Sequence, residues 1–400
     1  MQLNHLSLTS YRNFARLDVD VPEGVVLVLG SNAQGKTSLL EAIFFLATLT
    51  SFHADSDRQL INFISGREPL AVARLVARYC RGENAHQLEV RLIQERNGLN
   101  GAIRLRKEVL FDGVKHKLGE VLGLFNAVLF LPQMMQIIEG SPQHRRRYLN
   151  LALAQVKPAY GPILREYERS VSQRNALLKQ LADRGGDAEQ LLYWDGQLAG
   201  LGARLIYARI QAVKELERLA ARIHQELTRR VEVLRLDYQP AFDPLPQTPG
   251  QYALALDAPL DRSSLSVEEI EAEFLSRLAR LRSEDLARGM TTIGPHRDDL
   301  RFLTNGIDLG TYGSRGQVRT TLLTLKLAEV AWMHDKTGHW PVILLDEVLA
   351  ELDAERRGDL QERLSSSRQA LMTTTDLNLF DPAFVARSQV WRIEAGRLVV

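Results

Sequence analysis

Alternation of apolar and polar positions dominates the first third of the chain. "MQLNHLSLTS" has the period of two that marks a half-buried strand. "LDVDVPEGVVLVLG" ends in a continuous apolar run, residues 25–29, closed by Gly30, which predicts a fully buried strand. "TSLLEAIFFLATLT" follows with apolar residues at helical spacing. "EPLAVARLVARYC", "HQLEVRLIQER" and "AIRLRKEVLFDG" then predict strands of an antiparallel sheet joined by polar or glycine-bearing turns.

The pattern changes after the basic run His144, Arg145, Arg146 and Arg147. Residues 158–230 are rich in Ala, Leu, Glu, Gln and Arg, broken once at Gly185 and Gly186. Two long helices are predicted, residues 162–183 and 187–229, forming a hairpin with Leu191, Leu198 and Leu205 in its core. Pro162 suits a first helical turn, where its missing N–H costs nothing. The four prolines within residues 243–259 predict a loop. Ser266 is placed to cap a further helix, "VEEIEAEFLSRLARLRSEDLARG". Strands and helices alternate again after Met290.

Composition narrows the class without naming a function. Four hundred residues, 45% hydrophobic and 25% charged, suffice for two or three domains with a large core. The formal charge of +1 removes the simplest nucleic-acid signal, a chain basic overall, but not a local basic surface. The 50 basic residues comprise nine lysines and 41 arginines, and arginine favours bidentate contact with carboxylate or phosphate. The single cysteine, Cys80, excludes intrachain disulfides and multi-thiolate metal sites, and its setting predicts a small buried hydrophobe. No apolar run is long enough for a membrane span and the N-terminus lacks signal-peptide features, so a soluble cytoplasmic protein is expected.

The chemistry concentrates at two places. "GSNAQGKTS", residues 30–38, places Gly30, Gly35, Lys36 and Thr37 in the spacing of a P-loop, with Ser31, Asn32, Ala33, Gln34 and Ser38 completing it. Glycines let backbone N–H groups turn around a β-phosphate while the next helix points its positive end at it. Lys36 then neutralises β/γ oxygens and the Thr37 hydroxyl ligates Mg²⁺. "WPVILLDEVLAELD" is an apolar strand ending in Asp346 and Glu347. Beside the P-loop strand, Asp346 is the expected metal-side carboxylate and Glu347 the expected general base for an attacking water. Upstream, Ser314, Arg315, Gly316 and Gln317 open a strong helix, which makes either a second phosphate-binding end or an ordinary polar cap. A second subunit would let that end reach the phosphates.

The order P-loop, helical insertion, Ser-x-Gly-Gln, "ILLDE" and "AELD" resembles that of ABC-type ATPase heads. More narrowly, "YRNF", "GSPQHRRRYLN", "IGPHRDDL", "GSRGQVRT", "LLDEVLAELD" and "TTTD" run end to end as in the RecF family of bacterial DNA replication and repair proteins. The resemblance implies an α/β fold: an ABC-type head with mixed and antiparallel sheets, built from residues 1–150 and 286–400, with a helical lobe of residues 151–285 inserted. It implies ATP and Mg²⁺ as cofactors and an ATP-dependent homodimer that sandwiches two nucleotides. In such a dimer Ser314, with Gly316 and Gln317, contacts the γ-phosphate held by the partner. Gln133 links Mg²⁺ or the attacking water to the helical region, and Asp353 lies at the subunit interface. Thr375 and Asp376 occupy the switch position, and Arg12 approaches the phosphates from the N-terminal strand. The family further implies clamping of double-stranded DNA near single-strand gaps, slow DNA-dependent hydrolysis, and help to RecR and RecO in loading RecA. Three positions depart from the family pattern: Gln133 where an acidic residue is common, Glu347 where aspartate is expected, and His53 where arginine is common.

Other candidates have plainer readings. Arg145, Arg146 and Arg147 are either a DNA-phosphate patch or a helix start paired with nearby carboxylates. His296, Arg297, Asp298 and Asp299 predict a structural turn. Relatives with a long coiled coil or a zinc hook are opposed by the short insertion and the single cysteine. A transporter subunit is opposed by "GPHRDDL" and the hairpin, and a non-hydrolysing ATP-gated scaffold by Glu347.

Overall fold

The computed structural model describes residues 1–96, 103–245, 260–365 and 367–399. In chain order it contains β1 (Gln2–Tyr11), β2 (Phe14–Asp20), β3 (Gly24–Leu29), α1 (Lys36–Thr48), β4 (Leu70–Arg81), β5 (Asn84–Arg96), β6 (Ile103–Phe111), β7 (Val114–His116) and β8 (Ala127–Phe130). There follow α2 (Gln136–Glu139), α3 (Pro142–Val156), α4 (Tyr160–Arg184), α5 (Leu191–Leu227), β9 (Leu234–Gln239), α6 (Val267–Arg288), β10 (Asp299–Thr304), β11 (Ile307–Asp308), α7 (Leu309–Tyr312) and α8 (Arg315–Thr337). The chain closes with β12 (Val342–Asp346), α9 (Ala354–Ser365), β13 (Gln369–Thr374), α10 (Pro382–Ala386), β14 (Gln389–Glu394) and β15 (Arg397–Val399). These elements form two compact units, Met1–Met134 with Lys326–Val400, and Met135–Leu325. The sequence expectation put the divisions at 150/151 and 285/286. Here α3, β10, α7 and the start of α8 belong to the unit of the long helices.

The first unit has two six-stranded sheets. One is antiparallel, in the order β2-β1-β4-β5-β6-β7. The other runs β15-β14-β3-β13-β12-β8 and is parallel apart from the terminal β14/β15 pair. Helix α1 is apolar on nearly all sides, and it packs against strands of both sheets, β4 on one and β12 on the other. A helix that is hydrophobic all round must be buried. Leu39, Ile43 and Phe45 of α1 join Leu6, Leu75, Leu129 and Leu344 in one core.

In the second unit the predicted hairpin forms from α4 and α5, reversed at Gly185 and Gly186. Both glycines take the left-handed side of φ, 70° and 135°, which side chains rarely adopt. Leu191, Leu198 and Leu205 are buried in it. Ser266 caps α6 in a reciprocal box with Glu269, at 3.1 and 2.8 Å. A three-stranded sheet, β11-β10-β9, completes the unit. Its β9 escaped the sequence reading because six residues between two helical stretches give little periodicity. Residues 246–259 of the expected proline-rich loop lie outside the described residues.

Cys80 corrects one expectation. It is partly exposed rather than buried, because it lies one residue from the end of β4, where the hairpin turn opens the strand to solvent. Among the described residues no helix is long and apolar enough to cross a membrane.

Candidate functional site

The P-loop joins β3 to α1, and its shape follows from its glycines. A Cβ on Gly30 would lie 2.6 Å from the Ile393 carbonyl oxygen of β14, so the close approach admits no side chain. Gly35, with φ of 115°, turns the chain into α1, and Ala33 takes a left-handed φ of 63°. Asn13 holds the loop from the β1–β2 turn, its Nδ2 donating to the Gln34 carbonyl at 2.9 Å. Lys36 is folded into the loop, donating from Nζ to the carbonyls of Gly30 (2.7 Å) and Ser31 (3.1 Å).

Strand register brings the distant parts to one edge. Leu29 of β3 pairs with Thr374 of β13, Thr373 with Asp346 of β12, and Leu345 with Phe130 of β8. The carboxyl ends of four parallel strands therefore converge where open α/β sheets bind ligands. The sequence reading placed Asp346 beside the P-loop strand, and this is corrected: β13 lies between β3 and β12. Thr373 fills that gap, its hydroxyl donating to Asp346 Oδ1 at 2.6 Å and accepting the Glu347 N–H at 3.0 Å. Across the loop, the Thr37 hydroxyl stands 2.8 and 3.0 Å from the two Asp346 oxygens. Glu347 adopts a left-handed φ of 53°, which swings its Oε1 to 3.1 Å from Lys36 Nζ. A bulky non-glycine residue there is uncommon, and such strain collects at working sites.

Lys36, Thr37, Asp346 and Glu347 line one cleft of about 920 Å³, together with Arg12, Asn32, Ala33, Ser38, His53 and Gln133. Gln133 arrives through β8, a four-residue strand followed by a 3₁₀ turn at Pro132–Met135. Arg12 is less free than expected. Its Nε and Nη2 make a bidentate pair with Glu41 of α1, both at 2.7 Å, and its Nη1 donates to the Gln59 carbonyl at 3.1 Å. Burial works against the guanidinium charge, the Glu41 carboxylate outweighs it, and Arg12 holds its proton more tightly than usual. Glu41 is buried and also accepts from Ser51. Sequence reasoning missed Glu41, Thr373 and Asn13. Glu41 stood out as a carboxylate inside the apolar run "SLLEAIFF", while Asn13 and Thr373 lay within "YRNF" and "TTTD" with no role assigned to them.

The remaining predicted residues lie outside this cleft. Ser314 and Gln317 form a reciprocal cap at the start of α8, at 3.2 and 3.0 Å, and Gln317 Nε2 donates to Glu232 at 3.0 Å. Ser314, Arg315 and Gly316 remain exposed. Asp353 caps α9 through the Arg356 N–H at 2.9 Å, and that bond, with the Arg356 side chain, lowers its pKa. Thr375 and Asp376 are exposed just past β13.

Arg145 and Arg146 are both held by partners within the protein. Arg145 pairs bidentately with Asp299 at 2.6 and 3.0 Å, and Arg146 donates to the Asp298 carbonyl at 2.7 Å. Arg145 thus meets a carboxylate and Arg146 a backbone carbonyl. Arg147 is exposed. The turn at 296–299 is structural: Asp298 is buried and accepts from Arg209 (3.0 Å), Tyr238 and the Ala241 N–H (2.8 Å).

The arrangement is suited to a polyphosphate. Backbone N–H groups and Lys36 meet negative charge, while a hydroxyl and a carboxylate offer hard oxygen ligands of the kind Mg²⁺ accepts.

The chain matches the RecF/RecN/SMC N terminal domain family over residues 2–395. It is 38% identical to a DNA replication and repair protein RecF of Roseiflexus castenholzii, covering all of this chain and 99% of that one. It is 34% identical to RecF of Bacillus subtilis, with both chains covered in full. A solved structure of the recombination mediator protein RecF with ATP, in the RecFOR pathway, superposes with a TM-score of 0.82 at 29% identity, covering 100% of this chain and 97% of that one. An Smc head domain from Pyrococcus furiosus superposes at 0.52 and 16% identity, a likeness of fold. With the strand-end cleft, the P-loop and full-length similarity in agreement, this chain belongs to the RecF family of DNA replication and repair proteins, within the wider group of SMC-type ATPase heads.

Proposed function

We propose that this chain is an ATP-dependent DNA-binding protein of recombinational repair and replication, working in the cytoplasm. The observation that carries the reading is the joining of Thr37, Asp346, Lys36 and Glu347 in one cleft at the ends of β3 and β12. Residues 30–38 cradle the β-phosphate of ATP, and Lys36 exchanges its carbonyl and Glu347 partners for β/γ oxygens. Thr37 and Asp346, with Gln133 lining the same cleft, would hold Mg²⁺, and the ion when bound would neutralise charge on the phosphate oxygens. Glu347, released from Lys36, takes a proton from the attacking water as the new P–O bond forms, and the bond to the β–γ bridging oxygen breaks to give ADP and phosphate.

A second copy completes the site. Ser314, Gly316 and Gln317 of each protomer face the γ-phosphate held by the other, and Asp353 and Thr375 lie at that contact. ATP closes the homodimer on double-stranded DNA near gaps, through phosphate-directed and salt-sensitive contacts to which Arg147 contributes. Weak DNA-dependent hydrolysis reopens it, and the cycle supports RecA loading with RecO and RecR.

Sedimentation with and without ATP and gapped duplex DNA tests this directly. ATP is expected to convert monomer to dimer and to raise DNA affinity, with a steep loss between low and moderate salt. A monomer that stays monomeric in saturating ATP and DNA overturns it.

A further inference from the structure

The cleft contains two side chains that the phosphate chemistry leaves unused. Phe63 and Ile64 are 74% and 77% exposed, yet both line the same cleft as Lys36 and Thr37. Two adjacent large apolar side chains exposed within a ligand cleft offer a surface that a bound molecule can cover. The turn that carries them is fixed. The Asn62 side chain donates to the Arg12 carbonyl at 2.6 Å and accepts the N–H groups of Ile64 and Ser65 at 3.1 and 3.3 Å. The Asn62 N–H donates to the Ser10 carbonyl at 2.8 Å, and the Ser65 and Ser10 hydroxyls meet at 3.1 Å. The turn is therefore bolted to the end of β1, next to Asn13, which holds the P-loop. Arg67 lies over the Phe63 ring with its guanidinium carbon 4.5 Å from the centroid, which orients the ring while leaving most of it open.

We propose that Phe63, flanked by Ile64, is the stacking platform for the purine base of the bound nucleoside triphosphate. The proposal rests on the reading of the cleft as a nucleotide site. Once the P-loop holds the phosphates, what remains of the ligand is a sugar and a flat π-face, and the cleft offers an oriented aromatic ring for it. Stacking is tolerant of base identity but stronger for the larger purine.

The test is nucleotide affinity of the full chain, by calorimetry or fluorescence at protein concentrations where it is monomeric. Wild type, Phe63→Ala, Phe63→Trp and Lys36→Ala are each titrated with Mg²⁺-ATP and Mg²⁺-CTP. Phe63→Ala is expected to weaken ATP about 10-fold and to shrink the preference for ATP over CTP, with Phe63→Trp restoring both. Equal weakening of ATP and CTP would make the ring a structural prop. Unchanged ATP affinity would assign the patch elsewhere, such as a contact between copies, and either result overturns the proposal. If wild type binds neither nucleotide, or Lys36→Ala binds as wild type does, the nucleotide reading of the cleft fails instead.

Discussion

Charges in the two units are held in opposite ways. In the cleft, buried Lys36 is paired with Glu347, which is 41% exposed, and the Thr37 hydroxyl rests on Asp346, which is itself buried but lines the opening. In the second unit, Arg174 is fully buried between Asp195 (2.8 Å) and Asp285 (2.6 Å), with Thr291 at 2.9 Å, while Arg282 reaches Asp195 from the rim at 2.9 Å. Arg209 is buried with Asp298, Tyr160 and the Pro295 carbonyl. The first kind of pair can be dismantled by a ligand that supplies new charges. The second cannot be reached by any ligand, and it joins α4, α5 and α6 into one body. A placed charge therefore signals function only where solvent or substrate can exchange its partner.

The sharpest way to break this comparison is to remove a cation from each side. Arg174→Ala leaves buried Asp285 without its cation and Asp195 with Arg282 alone, and is expected to cost about 3–5 kcal/mol, read as a lower denaturation midpoint. ATP binding of the folded fraction should persist. A loss below about 1 kcal/mol would show that water reaches this cluster and that the two regions are alike. In the cleft, Glu347→Gln removes the proposed base while keeping shape. Turnover is expected to fall at least about 100-fold with ATP still bound, measured by single-turnover phosphate release. Lys36→Ala should instead cut ATP affinity about 10- to 100-fold, the scale of a charge-assisted bond to phosphate. Equal turnover in wild type and Glu347→Gln would remove Glu347 from catalysis.

A buried histidine sharpens the contrast through pH. The neutral His296 ring donates from Nε2 to the Thr291 carbonyl (3.3 Å) and accepts at Nδ1 from the Tyr167 hydroxyl (2.8 Å), and burial, with repulsion from Arg297, Arg146 and Arg209, pushes its pKa down to about 4 against the Thr291 bond. The unfolded ring titrates near the ordinary imidazole value of 6.5. Between these values the unfolded chain binds the extra proton, so stability falls as pH drops from 6.5 towards 4. The loss from this group should reach about 1.4 kcal/mol by pH 5.5. Denaturation of wild type and His296→Gln at pH 7.5 and 5.5 checks it, because the variant should lose less stability over that interval.

What was legible in the sequence was local. The P-loop reads from nine consecutive residues because the strand, glycines, lysine and helix that make it are contiguous. Asp346 and Glu347 read as the end of an apolar strand. Strand order did not read, because β13 enters between β3 and β12 from the far end of the chain, and with it the role of Thr373. Partners across long separations were equally hidden: Glu41 lies 29 residues from Arg12, and Asp299 lies 154 residues from Arg145. A basic run shows charge, but whether it meets solvent or a carboxylate is decided by tertiary packing. The strand β8 was too short to announce itself, although "LPQ" at its end carries Gln133 to the cleft.

Ser314 tests the boundary between the two kinds of site, with the smallest expected change in stability. It belongs to the second unit, where polar groups serve the fold, and its hydroxyl accepts the Gln317 N–H as a helix cap. It is nevertheless exposed, which is the property of the cleft residues. Ser314→Ala should cost about 1 kcal/mol through loss of the cap, measured by denaturation. Ser314→Asn keeps a capping oxygen and should leave stability within about 0.5 kcal/mol of wild type. If the hydroxyl also meets a γ-phosphate in the closed dimer, both variants lose ATP-driven dimerisation and turnover while monomer ATP affinity stays unchanged. Loss in the alanine variant alone would mean that the cap shapes the turn and the hydroxyl itself touches no ligand. Exposure would then be a poor guide to which placed charges and hydroxyls work on substrate, and the contrast drawn between the two units would have to rest on partner exchange alone.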